Sequence, residues 1–343
     1  MGGNRVFFSN IRTILVRNSR ILAAALLACL LIASPIKAEE GQALKALDQV
    51  REIGKAWNGD VAQKTFAIYT PILAKQKTSG INVTQDIAYG SHERNKLDMF
   101  MPVGAKDLPV LVFIHGGGMR VGNKRQPETG GLAFANVGYF AANHGMIGIT
   151  MNYRLVPDAR FPSAGQDVAA VAQWIQEHIA EFGGDAGKVF FVGQSAGGMV
   201  LGEYLYNASV QPKQGPAMAG AIFLSSSINI GVPAVVSAYY GADQQNWSRN
   251  SNKEALARYE GKLIPTLVIG AELDPAEIEW GTYTHISILC EKRKGCPRYT
   301  QLPRQNHISE VLNLNTDDMT TATPILKFVE DVLSDRLYPL DGK

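Results

Sequence analysis

Short apolar runs alternate with stretches of helical spacing through most of this chain, and no other feature restricts its fold as much. Val110-Leu-Val-Phe-Ile114, Met146–Asn152, Lys188-Val-Phe-Phe-Val192, Ala221–Leu224 and Thr266–Ile269 read as strands. Residues 110–114 are apolar without a break, as expected of a strand buried on both faces. Ser163–Glu181, Gly197–Asn207, Pro275–Cys290 and Pro324–Leu333 read as helices. In the first of these, Val168, Val171, Ala172, Ile175 and Ile179 share a face, and Ser163 with Gln166 fits a capping box. Pro275 stands where a first helical turn accepts proline. Strands alternating with helices imply parallel strands joined by right-handed crossovers. The expectation is an α/β fold, a mostly parallel sheet flanked by helices. Val83–Tyr89 and Lys96–Met101 add two strands around the turn-rich 90–95, and Arg298–Leu302 adds a late one.

A hydrophobic content of 46% with 19% charged residues suits a packed core and excludes a disordered chain. No linker rich in Gly, Ser or Pro divides the sequence, so residues 81–343 are read as one domain. Before it, residues 39–80 are expected to be helical, with Leu44, Leu47, Val50 and Trp57 near helical spacing. Residues 228–262 are turn-rich and polar, join two core strands and suggest a small cap.

The N-terminus has a different texture. Arg5, Arg12, Arg17 and Arg20 precede an apolar run, Ile21–Ala33, and then Ser34-Pro35-Ile36-Lys37-Ala38. A positive head, a short apolar stretch and a small residue before a polar start describe a secretory signal peptide over residues 1–38, cleaved after Ala38. A retained anchor and lipidation at Cys29 are the alternatives; the apolar run is short for a permanent span. Taking the five basic residues of the leader from 33 leaves 28 against 31 acids, a formal −3. Nucleic acid is then not an expected partner, because phosphate binding needs clustered Lys and Arg. Nor is stable membrane association after cleavage. Export to the periplasm or the medium also suits the cysteines. Cys290 and Cys296 lie six positions apart and are expected to pair in an oxidising compartment. Closing that loop is worth about 2.4 kcal/mol in the chain-entropy account. With no histidine close in sequence, a zinc site there is not expected.

The chemistry centres on Gly193-Gln194-Ser195-Ala196-Gly197, set between a strand and a helix. A sharp turn in that context lifts a serine clear of the sheet, and small residues at both ends let the backbone pass. The N–H groups that follow, beginning with Ala196, lie at a helix N-terminus, where negative charge is favoured. His115-Gly-Gly-Gly118 directly follows strand 110–114. Glycines there allow several N–H groups to converge on a developing oxyanion, so Gly116, Gly117 and Ala196 are the expected donors. His115 is expected to bond within its loop. A phosphate-cradling loop is the rival reading, but no Lys-Ser/Thr follows the glycines.

A nucleophilic serine needs a base, and the base an orienting acid. His307, after the strand at 298–302, is the expected base; His285 falls inside a helix. Asp274, reached from strand 266–269, is the expected acid, with a helix N-cap as its alternative role. Glu272 is the runner-up and Asp243 lies in the cap. Arg154 and Asp158 are expected to pair, Asp167 to anchor a helix start, and Met119, Phe134 and Tyr240 are candidates for an acyl pocket.

His115-Gly-Gly-Gly, Tyr153-Arg-Leu-Val-Pro-Asp158 with Phe161-Pro162, Phe182-Gly-Gly-Asp185, the elbow at 193–198 and Asp274-Pro275 together resemble the hormone-sensitive-lipase-like carboxylesterases of the α/β-hydrolase fold. The resemblance covers roughly residues 83–335. It implies an eight-stranded-type sheet, a Ser195–Asp274–His307 triad and hydrolysis of a small-molecule ester without metal or organic cofactor. The chain departs from that pattern at Gln194, where Asp or His is common, and at Met119, where an aromatic is. Its cap is short, closer to feruloyl-esterase-like and kynurenine-formamidase-like relatives. Short-acyl or aryl esters are the expected substrates. The same triad on an amide, as in an arylformamidase, and a catalytically silent binding protein are the alternatives.

Overall fold

The computed structural model describes residues 41–229 and 233–336. The leader and its cleavage site lie outside the described residues. Eight strands form one sheet: β1 (Ile81–Ala88), β2 (Lys96–Pro102), β3 (Leu108–Ile114), β4 (Ile147–Met151), β5 (Gly184–Gln194), β6 (Gly220–Leu224), β7 (Thr266–Leu273) and β8 (Arg298–Asn306). Their order is β1-β2-β4-β3-β5-β6-β7-β8. β1 and β2 pair antiparallel with each other, and β2 antiparallel with β4; every later pairing is parallel. The chain leaves β3 for β4 on one side, then crosses to β5 on the other. The C-terminal ends of β3 and β5 therefore flank a topological switch point, where open α/β sheets bind ligands.

Alternation along the strands explains the two cores. Val110, Val112 and Ile114 face one side of the sheet and pack with α4 (Ser163–His178) and α5 (Ala196–Tyr206). Leu111 and Phe113 face the other, with α1 (Gln42–Ile53), α2 (Gly59–Leu73), α3 (Ala135–Asn143) and α11 (Ala322–Leu333). Both sets are almost fully buried, which is why these strands carry no polar alternation.

Several expectations change. The 39–80 segment holds two helices, α1 and α2, and Trp57 lies in the break between them rather than on a helical face. Asn58 ends that break by capping α2, its Oδ1 accepting the Val61 N–H at 3.0 Å. The described part of the 228–262 stretch holds three helices, α6 (Pro233–Tyr240), α7 (Gln244–Asn250) and α8 (Asn252–Arg258), where turns were expected. Ser163 forms no capping box, because it is already the first helical residue of α4 and its hydroxyl has no partner among the described residues. The orphan N–H groups of Ala164 and Gly165 are taken instead by Tyr239 Oη and Glu203 Oε1, both at 2.9 Å. Burial pushes Glu203 up to about 7, and Tyr239 donates its hydroxyl proton to it. Arg154 pairs with Asp167 at 2.9 Å, not with Asp158, which is exposed. Asp167 lies past the start of α4 and also accepts from the Arg154 N–H and from Asn95, so it ties α4 to the loop after β4. β8 runs on through Pro303 to Asn306, four residues past the expected end. It is an edge strand, where a missing N–H costs no ladder bond. α9 (Ala276–Arg293) and the short turn after it carry the Cys290–Cys296 disulfide, with an S–S distance of 2.09 Å.

Candidate active site

Sheet register sets the site. Ile114 is paired with Gly193, Gln194 with Leu224, and Leu273 with Asn306. The next residues along β3, β5, β7 and β8 are His115, Ser195, Asp274 and His307, so four strand ends deliver them to one edge.

Ser195 stands between β5 and α5 with φ 53° and ψ −122°, a conformation that non-glycine residues rarely adopt. Its N–H donates to Leu224 O at 2.9 Å, and Ser226 Oγ donates to its carbonyl at 3.0 Å, so the turn is held from β6. Gly197 is required by space: a Cβ there would lie 2.1 Å from Ile114 O. His307 Nε2 is 2.8 Å from Ser195 Oγ, and His307 Nδ1 is 2.8 Å from Asp274 Oδ1. Asp274 and His307 are both about 1% exposed. Asp274 does not cap α9. Its Oδ2 accepts the Ala271 N–H at 2.9 Å and the Ser225 hydroxyl at 2.5 Å. Glu272 is exposed and accepts the Arg304 N–H at 2.6 Å, away from the imidazole. Asp243 caps α7 through the Gln245 N–H. His285 is buried against Tyr206 Oη at 2.7 Å, and burial drives it down to about 3.

The loop after β3 runs against Ser195. A Cβ built on Gly116 would lie 3.1 Å from Ser195 Cβ. Among the described residues, no loop or cap hydrogen bond uses the N–H of Gly116, Gly117 or Ala196. His115 Nδ1 is 2.6 Å from Gly116 O, within its own loop as expected. It stacks on Tyr153 at 4.6 Å, and burial holds it at about 3, so the ring is neutral. Tyr153 donates its hydroxyl to His115 O at 3.1 Å. Arg94 spans the loop from outside, reaching Tyr153 O at 2.8 Å and Gly122 O at 3.0 Å.

A cavity of about 670 Å³ opens on Ser195, and Met119, Phe134 and Tyr240 do line it. The sequence reading gave four residues of this region no part in the site. Trp57 meets the His307 ring edge-on at 4.6 Å and, with Ala62 and Phe66 of α2, forms one cavity wall. Gln194 Nε2 donates to His307 O at 2.7 Å, which gives the departure at this elbow position a use: it ties the Ser195 turn to His307. Ser225 and Glu310, on α10 (Ser309–Leu312), lie behind Asp274. The one signal for Glu310 was an acid in the otherwise apolar run around Ile308, Val311 and Leu312.

Sheet topology, strained serine turn and glycine loop define an α/β-hydrolase. The chain belongs to the BD-FAE family, whose pattern matches residues 97–275. Among curated proteins it is 28% identical over 141 residues to a probable isoprenylcysteine alpha-carbonyl methylesterase of Arabidopsis thaliana, covering 41% of this chain and 32% of that protein. It is 30% identical over 155 residues to the bile salt-activated lipase of Homo sapiens, covering 41% and 20%. The chain thus spans about a third or less of the length of these relatives. Among solved structures, esterase B of Lactobacillus rhamnosis superposes with a TM-score of 0.65 at 16% identity, over 86% of this chain and 97% of that one. An esterase of the bacterial hormone-sensitive lipase family gives 0.61 at 17%, over 85% and 97%.

Proposed function

We propose that this protein is a serine carboxylesterase of short-acyl or aryl esters. The observation that carries the reading is the unbroken chain Ser195 Oγ–His307–Asp274, with 2.8 Å at each link, beside amides free to receive an oxyanion. Ser195 Oγ attacks the ester carbonyl as His307 Nε2 takes its proton. Asp274 fixes the ring with Nδ1–H inward and balances the imidazolium. Negative charge on the carbonyl oxygen falls to the N–H groups of Gly116, Gly117 and Ala196, where one such donor is worth about 2.7–4 kcal/mol. His307 returns its proton to the leaving alcohol, and water repeats the sequence on the acyl-enzyme. The cavity lies within the usual range of small-molecule sites, about 300–1,000 Å³. Its aromatic walls favour aryl groups, and the curated relatives named above are an esterase and a lipase rather than amidases.

We also read residues 1–38 as an export signal, with the mature chain beginning at Glu39. The pairing of Cys290 with Cys296 fits an oxidising compartment. N-terminal sequencing of the exported protein tests this.

A fluorophosphonate probe tests the central reading. One label per chain on Ser195 is expected, absent in Ser195→Ala, together with a fall in p-nitrophenyl acetate turnover of about 10⁵-fold or more. Absence of labelling, or turnover retained in Ser195→Ala, overturns the mechanism. A preference for long acyl chains overturns the substrate class.

A further inference from the structure

A second carboxyl stands behind the triad, and counting protons shows what form it takes. Ser225 Oγ lies 2.5 Å from Asp274 Oδ2 and 2.8 Å from Glu310 Oε2. A serine hydroxyl has one proton and can serve only one of them. Asp274 is the carboxylate that must stay ionised, since it also faces His307 Nδ1–H and the Ala271 N–H. If Ser225 gives its proton to Asp274, the contact between Ser225 and Glu310 requires a proton on Glu310. The alternative is two carboxylates and a serine oxygen in mutual repulsion. Glu310 is fully buried, and its Oε1 has no hydrogen-bond partner among the described residues. Facing it are Asp274 from the end of β7, Ser225 from the end of β6 and Gln194 from the end of β5, none of them a cation. Among the described residues no Lys, Arg or His makes an ion pair with it. Burial and the Asp274 charge push this carboxyl well above the usual carboxylate range and outweigh the opposing pull of Ser225 and Gln194, in the same direction as the proton count.

We propose that Glu310 is a positioning residue kept as a neutral carboxylic acid, which donates to Ser225 Oγ and so commits the Ser225 hydroxyl to Asp274. The result is a relay with one sense: Glu310 O–H to Ser225, Ser225 O–H to Asp274, Asp274 to His307. It pins the Asp274 oxygen that does not face the imidazole, and it leaves a single negative charge under the ring. An ionised Glu310 would add a second negative charge beneath the ring.

This inference rests on the esterase reading for its kinetic arm and on protonation alone for its spectroscopic one. Infrared difference spectroscopy between wild type and Glu310→Gln, at neutral pH and without substrate, should show loss of one protonated-carboxyl C=O band. Absence of that band overturns the proposal. With p-nitrophenyl acetate, Glu310→Ala should lower kcat about 10–100-fold with KM within about twofold, the scale of one lost hydrogen bond to a charged group. Glu310→Gln keeps a donor and should recover most of that loss, with the acid limb of kcat/KM unmoved. A downward shift of that limb by about one unit in Glu310→Gln would mean that a charge had been removed, and overturns it. So does wild-type kcat in Glu310→Ala. Should the Ala variant fail to fold, Ser225→Ala replaces it: a loss of the same size is expected, and wild-type kcat counts against the relay. A band lost in Glu310→Gln without any ester turnover in wild type supports the protonation and sinks the esterase reading alone.

Discussion

The serine half of the site and the histidine half are built on different principles. Ser195 and the glycine loop sit at the middle of the sheet, where β3 and β5 are packed on both faces and backbone meets backbone. Their geometry is set by what cannot fit: a Cβ at Gly197 collides with Ile114 O. His307 follows an edge strand. Its geometry is set by side chains collected from elsewhere in the chain: Asp274, Trp57 from the break before α2, Gln194 from the elbow and, behind the acid, Ser225 and Glu310. Steric exclusion makes the first half rigid and intolerant of added atoms. Hydrogen bonds and one aromatic contact make the second adjustable in small steps.

Substitutions should expose that contrast, and the largest effect belongs to the packed half. Gly197→Ala places a methyl against main chain that cannot yield without parting β3 from α5, and is expected to cost about 3 kcal/mol or more. Urea denaturation measures it; a wild-type midpoint would mean that the elbow is not sterically closed. Next in size is a pH effect. His115 and His285 both lie at about 3 in the folded protein, against an ordinary 6.5. Between those values the unfolded chain binds more protons, so each histidine's contribution is present in full above pH 6.5 and drains away as pH falls toward 3. The slope is about 1.36 kcal/mol per pH unit for each. His285→Gln should remove one such slope from the unfolding free energy measured between pH 6 and pH 4.5; an unchanged slope would show that His285 is charged when folded.

On the adjustable half the steps are smaller. Trp57→Ala removes an edge contact to the base, worth about 0.5–1.5 kcal/mol. A fall in kcat/KM of about two- to twelvefold is expected on that scale, and a loss beyond about a hundredfold would make Trp57 more than a wall. Smallest of all, Glu272→Gln should change kcat by less than about twofold, within the usual surface range of ±0.5 kcal/mol. A drop as large as that of Asp274→Asn would hand the acid's role to Glu272.

The same division decided what the sequence could tell. The parallel sheet was legible because strands buried on both faces are written as unbroken apolar runs, Val110–Ile114 above all. The positions of Ser195, Gly116 and Gly117 followed from glycines that only a close approach requires. Asp274 and His307 were reachable because each follows a strand in the expected order. The helices of the cap were missed, since three helices of seven or eight residues carry too few turns to show a period. Trp57 looked like part of a helical face, because its spacing from Val50 suits one; the break at 54–58 is made by Gly54 and Asn58, which the periodic reading passed over. The Arg154 partner was misplaced for another reason. Asp158 is near in sequence, but the loop folds so that Asp167, 13 residues on, faces the guanidinium. Ser225 had no local signature and Glu310 only its place as an acid among apolar neighbours, because a relay of single hydrogen bonds is written in three dimensions only.

One consequence follows from the pairing of Leu273 with Asn306. Acid and base are neighbours on adjacent strands, with nothing inserted between their anchors. The excursion between Ser227 and Thr266 enters and leaves the sheet upstream of both, while Ser225 and Ser226, which hold Asp274 and the Ser195 turn, stay at the end of β6. That part can be exchanged for another segment while Ser195, Asp274 and His307 keep their spacing, so one wall of the cavity and the hydrogen-bonded trio are separately replaceable parts.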